Sequence, residues 1–124
     1  MENNYIYLYY TYNEFISTSN KLVRYQVIDG TVNEDKVLIE GIPVGPCHDG
    51  GRIQFGPDGK LYITTGEAGN PELAQDLDSL GGKILRINSD GTIPADNPWK
   101  DSPIYSIGHR NPQGLFFDQI TNQL

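Results

Sequence analysis

Cysteine is nearly absent, with Cys47 the single one among 124 residues. That excludes an internal disulfide and any zinc site built on several cysteines. Cations are scarce too: nine Lys and Arg stand against sixteen Asp and Glu, a formal net charge of −7. A nucleic-acid partner needs clustered cations to displace counterions from phosphate, so this balance argues against one. It argues equally against an anionic membrane surface. No apolar run approaches the roughly 20 residues of a membrane span. Met1-Glu2-Asn3-Asn4 opens with neither a basic stretch nor an apolar core, so no export signal is read at this end.

Turn-forming residues are plentiful. Fourteen Gly and eight Pro accompany 37% hydrophobic residues, a turn-rich rather than a disordered composition. Tyr5 to Tyr12 and Leu22 to Ile28 are rich in aromatic and β-branched residues, and read as strands. Val37 to Ile42, Arg52 to Phe55, Leu61 to Thr65, Lys83 to Asn88, Ile104 to Ile107 and Gly114 to Phe117 continue the series. Gly56-Pro57-Asp58-Gly59 supplies a fixed φ, a side-chain acceptor and a positive φ where a tight hairpin requires them. Only Pro71 to Leu80 has a helical look, short and weakly periodic. The expected class is all-β, in antiparallel sheets, with a long loop or one helical turn inserted.

An internal repeat organises the chain. Lys21-Leu22-Val23-Arg24-Tyr25 matches Lys83-Ile84-Leu85-Arg86-Ile87, and Asp29-Gly30-Thr31-Val32 matches Asp90-Gly91-Thr92-Ile93. The hairpin from Phe55 to Leu61 recurs loosely from Phe117 to Leu124. These matches share a period of about 62 residues, which suits a four-stranded blade of a β-propeller with large loops. Residues 1–124 then make about two blades, beginning inside one and stopping in the first hairpin of a third. Two blades do not close a ring, so the expectation is a propeller domain truncated at both ends.

Chemistry gathers in two segments. Pro46-Cys47-His48-Asp49-Gly50-Gly51-Arg52 enters the strand at Ile53, and Gly108-His109-Arg110-Asn111-Pro112-Gln113-Gly114 enters the one at Leu115. His48 and Arg110 are one period apart. Loops leading into the innermost strand of a blade rim the central channel, so both side chains are expected at one shared site. A neutral imidazole accepts a hydroxyl proton near neutral pH, and a guanidinium holds a carboxylate or polarises a carbonyl. Such a pair suits oxidation or hydrolysis of a polar small molecule. Loop histidines and amides also serve merely to tie down backbone, which is the plain alternative for His48, His109, Asn111 and Gln113.

The motif series as a whole resembles the soluble glucose/sorbosone dehydrogenase family, quinoproteins that include aldose sugar dehydrogenases. It comprises His48 to Ile53, Phe55 to Tyr62, Gly81 to Asn88, Ile93-Pro94 with Asp96-Asn97-Pro98, and Gly108 to Leu115, and so spans nearly the whole chain. The resemblance implies a six-bladed propeller that carries pyrroloquinoline quinone, with calcium beside it, over the central channel. It implies that His48 is the general base and that Arg110 lies by the quinone and the sugar. Asn111 and Gln113 would stand near the cofactor. It also implies an enzyme of the periplasm or the cell exterior.

Cys47 departs from the pattern, standing where glucose-oxidising members place an aspartate against the sugar. No calcium ligand is expected in this chain, and Asp49, Glu67, Asp76 and Asp78 are read as solvated loop acids. A binding propeller without catalysis, for carbohydrate or protein, is the alternative class. The 124 residues alone are expected not to oxidise sugars, as measured by dye reduction with added quinone, calcium and aldose.

Overall fold

A computed structural model describes residues 4–124. Seven strands and one 3-10 turn, Pro71–Ala74, are present among these residues. Strands β1 (Tyr5–Glu14), β2 (Ser17–Ile28) and β3 (Thr31–Ile42) form an antiparallel sheet in sequence order. Strands β4 (Ile53–Phe55), β5 (Leu61–Thr64), β6 (Lys83–Ile87) and β7 (Ile104–Ile107) form a second one. The repeat therefore sets β2 equivalent to β6, each central in its sheet. No described helix is long and apolar enough to cross a membrane.

One apolar core serves both sheets. Leu22, Ile39 and Ile42 from the first meet Leu61, Ile63, Leu85, Ile87 and Ile104 from the second. Strand β5 is buried along its whole length, as its apolar composition requires when both faces are covered. Around this core, Tyr7 packs edge-on against Phe55, with ring centroids 5.2 Å apart. Arg24 Nη1 and Lys36 Nζ donate across to the carbonyls of Ser89 and Asp90, each at 2.8 Å.

The hairpin between β4 and β5 forms as its residues demand. Gly56 N–H donates to the Lys60 carbonyl at 2.9 Å, and Gly59 takes φ +73°. Asp58 accepts from Lys60 N–H with one carboxylate oxygen and from Arg86 with the other. Arg86 is almost fully buried and spreads its fork over Asp58, Asp96 and Asn97 while facing the rings of Tyr62 and Tyr105. A buried guanidinium is stable only when its donors are so occupied. The cluster ties the hairpin, the 94–97 loop and β6 into one corner.

One expectation fails. Gly114 to Phe117 is not a strand: no strand runs beside it among the described residues, so it lacks a ladder, and only the turn at Asp118 closes. Pro71 to Leu80 gives a single 3-10 turn, the one helical turn expected there. Asp76 accepts from Asp78 N–H and Ser79 Oγ from Gly81 N–H, offering the backbone bonds that compete with a helix.

The Arg86 cluster sets an acid limit. Burial alone would raise Asp58, but hydrogen bonds from Arg86, Lys60 and Tyr62 hold it below the ordinary carboxylate value. The bond to Arg86 does the same for Asp96. Groups depressed in this way stabilise the fold fully above the unfolded carboxylate pKa of about 4, and lose that contribution as pH falls through the folded values. Thermal melts followed by circular dichroism should therefore fall in temperature below about pH 4, and Asp58→Asn should flatten that fall.

Candidate functional site

Three loops meet at one end of the second sheet. They precede β4, follow β5 and follow β7. The antiparallel register sets Ile53 opposite Ile63. Continued five residues outward, it brings His48 beside Ala68, and Ala68 N–H indeed donates to the His48 carbonyl at 3.0 Å. His48 itself takes φ +64°, the left-handed region that few side chains enter without cost. Glycine makes this possible on both sides. A Cβ on Gly66 would run into the His48 carbonyl, and one on Gly50 would lie 2.7 Å from the Thr64 carbonyl oxygen.

The unusual backbone aims the imidazole at Glu67. His48 Nδ1 is hydrogen-bonded to Glu67 Oε1, which also accepts from Gly69 N–H at 3.2 Å. Glu67 is 2% exposed. It is thus no solvated loop acid, contrary to expectation: the hairpin carries it inward against the histidine. An acceptor-only carboxylate fixes the N–H on Nδ1, leaving Nε2 as the basic nitrogen, with no hydrogen-bond partner among the described residues. The backbone of the third loop joins the same frame, since Glu67 N–H donates to the Arg110 carbonyl at 2.9 Å.

His48 and Arg110 line one cleft of about 630 Å³, with Cys47, Glu67, Gly69, Pro71, Ala74, Gln75 and Gly108. The loops one repeat apart therefore do share a site. Asn111 and Gln113 are placed differently from that pair. Asn111 Oδ1 accepts from Gly50 N–H at 3.1 Å, locking the two repeat-related loops together behind the cleft. Gln113 is exposed, away from the cleft lining, and its carbonyl accepts from Arg52 Nε at 3.4 Å. His109 pairs with Ser106 Oγ at 2.8 Å; burial first, and Lys83 second, hold its pKa below the ordinary histidine value. Asp76 and Asp78 are exposed, in keeping with their reading as loop acids. Among the described residues no group of three or more His, Cys, Asp or Glu is placed to hold a metal ion.

The sequence names Glu67 only as a solvated acid and does not single out Pro71 or Gln75. The hairpin register was the available signal for Glu67, because it fixes which residue after β5 faces the loop before β4. For Pro71 and Gln75 no such rule exists.

Comparison with known proteins places these features in context. The family described as Glucose / Sorbosone dehydrogenase matches residues 1–124. Quinoprotein glucose dehydrogenase B of Acinetobacter calcoaceticus is 35% identical over 145 aligned positions, covering 93% of this chain and 30% of that protein. Aldose sugar dehydrogenase YliI of Escherichia coli is 45% identical over 82, covering 62% and 22% respectively. Among solved structures, the PQQ-bound form of aldose sugar dehydrogenase from Streptomyces coelicolor superimposes with a TM-score of 0.86 at 42% identity. That match covers 95% of this chain and 36% of the other. The chain shares their β-propeller fold and spans about a third of the length of such relatives.

Gly66→Ala should push the His48 turn out of place. A cost of about 1–3 kcal/mol is expected for overpacking of this kind, read as a lowered melting temperature.

Proposed function

We propose, since the chain belongs to the glucose/sorbosone dehydrogenase family, that it supplies the proton-accepting part of a quinone-dependent aldose dehydrogenase site. The observation that carries this reading is the His48–Glu67 pair, facing the same cleft as Arg110. The chemistry is oxidation of a sugar hydroxyl. His48 Nε2 takes the hydroxyl proton, while Glu67 keeps the ring in the required tautomer and stabilises the imidazolium that forms. Arg110 contributes a guanidinium that binds acceptor oxygens and favours negative charge developing within the cleft.

The donor set fits pyrroloquinoline quinone in part. Arg110 is the one cation among the cleft-lining residues and would hold the carbonyl or carboxylate oxygens of the cofactor. When bound, that cofactor supplies the hydride acceptor. Asn111 would act from behind, keeping the Gly50 turn in register with the Arg110 loop. Gln113 would approach the cofactor only from outside the cleft described here.

Cys47 lines the cleft beside the base, a thiol where the glucose-oxidising members of the family carry an aspartate. The substrate class is accordingly aldoses in general.

The test uses the intact protein that carries this chain. His48→Asn should lower kcat by about 10²–10⁴-fold, the usual worth of a positioned base, with quinone binding retained by absorbance titration. Unchanged kcat would remove His48 from the mechanism.

A further inference from the structure

Lys83 is the one lysine whose side chain is wholly buried among the described residues, and no carboxylate lies within ion-pair distance of it. Its three donors are instead taken by three carbonyls. Nζ reaches Leu73 O at 2.5 Å, Gly81 O at 2.6 Å and Ala74 O at 3.2 Å. Leu73 and Ala74 end the 3-10 turn, and Leu73 O also accepts from Asp76 N–H at 3.3 Å. A desolvated ammonium is costly, so it is retained only where something needs three converging donors.

The segments it joins enclose the cleft. Ala74 O also accepts from Gly108 N–H at 2.8 Å, and His109 N–H donates to Gly82 O at 3.1 Å. A Cβ on Gly82 would lie 2.6 Å from the His109 carbonyl oxygen and 2.7 Å from Ala74 Cα, so the three backbones are in close contact. On one side of this junction stand Pro71, Ala74 and Gln75; on the other, Gly108 leads to Arg110. The His48–Glu67 pair has ties of its own through Ala68, Gly69 and Asn111, and it also meets the junction, where Glu67 N–H donates to the Arg110 carbonyl at 2.9 Å and Gly82 N–H to the Gly66 carbonyl at 2.8 Å.

We infer that Lys83 is a positioning residue, a buried cationic clasp that fixes the Pro71–Gln75 wall of the cleft against the Gly108–Arg110 loop. It sets the shape of the cavity that receives the sugar, while the proton-accepting pair keeps the separate ties of Ala68 to His48 and of Gly50 to Asn111. The statement about the sugar rests on the function proposed above; the statement about the wall does not.

The experiment compares the intact protein with Lys83→Met, which removes the charge and all three donors, and with Lys83→Gln, which keeps two neutral donors. Amide hydrogen exchange is read residue by residue. In Lys83→Met, exchange at Gly108, Gln75 and Asp76 should rise at least tenfold while Leu85 and Ile87 stay protected, and Lys83→Gln should fall between. With an aldose as substrate, Lys83→Met should raise KM at least fivefold and change kcat less than threefold. Unchanged exchange at Gly108 and Gln75, or a uniform rise through β5 and β6, overturns the inference. So does failure of both variants to fold, because the charge would then serve the whole sheet. Altered exchange in a protein that oxidises no sugar would leave the clasp standing and remove the proposed function. Altered exchange with unchanged KM would remove the clasp's role in shaping the sugar site.

Discussion

Two cations on a five-residue strand must be taken out of water, and much of the architecture follows from how each is satisfied. Strand β6 buries Lys83 near one end and Arg86 near the other. Arg86 is compensated by carboxylates, from Asp58 and Asp96, because a planar fork matches paired acceptors. Lys83 is compensated by carbonyls alone, because a compact ammonium accepts any three converging oxygens. The first solution pulls a hairpin and a long loop to the outer corner. The second gathers backbone at the opposite end, where the cleft opens.

The cleft itself combines a repeat with a hairpin. The repeat places His48 and Arg110 one period apart, on the loops that precede β4 and follow β7, so one repeat position supplies an imidazole in one copy and a guanidinium in the next. The hairpin supplies the carboxylate, since β4 and β5 run antiparallel and the loops at their shared end must meet. Asn111 stitches the two copies together through Gly50 N–H. The site is therefore held mostly by backbone bonds between loops, with little demand on side-chain packing.

Much of this was legible in the residues, and the illegible parts have physical reasons. Gly56-Pro57-Asp58-Gly59 announces its turn because each residue has its own local conformational duty. The matched Lys21 and Lys83 segments announce equivalent strands because sheet position constrains a whole run of side chains. His48 and Arg110 follow from those matches. Glu67 was misjudged because acids in loops are ordinarily solvated, and only pairing across the hairpin buries this one. Gly114 to Phe117 reads as a strand from composition, but a strand is defined by its neighbour, which composition does not contain. In the 71–80 segment, the single turn that the weak apolar rhythm suggests goes no further, because Asp76 and Ser79 bond to nearby backbone.

The left-handed backbone at His48 narrows the mutational neighbourhood of the site before chemistry is considered. At φ +64° a β-branched side chain is excluded on steric grounds, whereas glycine, asparagine, aspartate and histidine enter most readily. Of those four only histidine offers a base that works near neutral pH. Drift at this codon thus passes mostly through residues that spare the loop, and under the role proposed for His48 such changes would remove the base without a trace in folding or abundance.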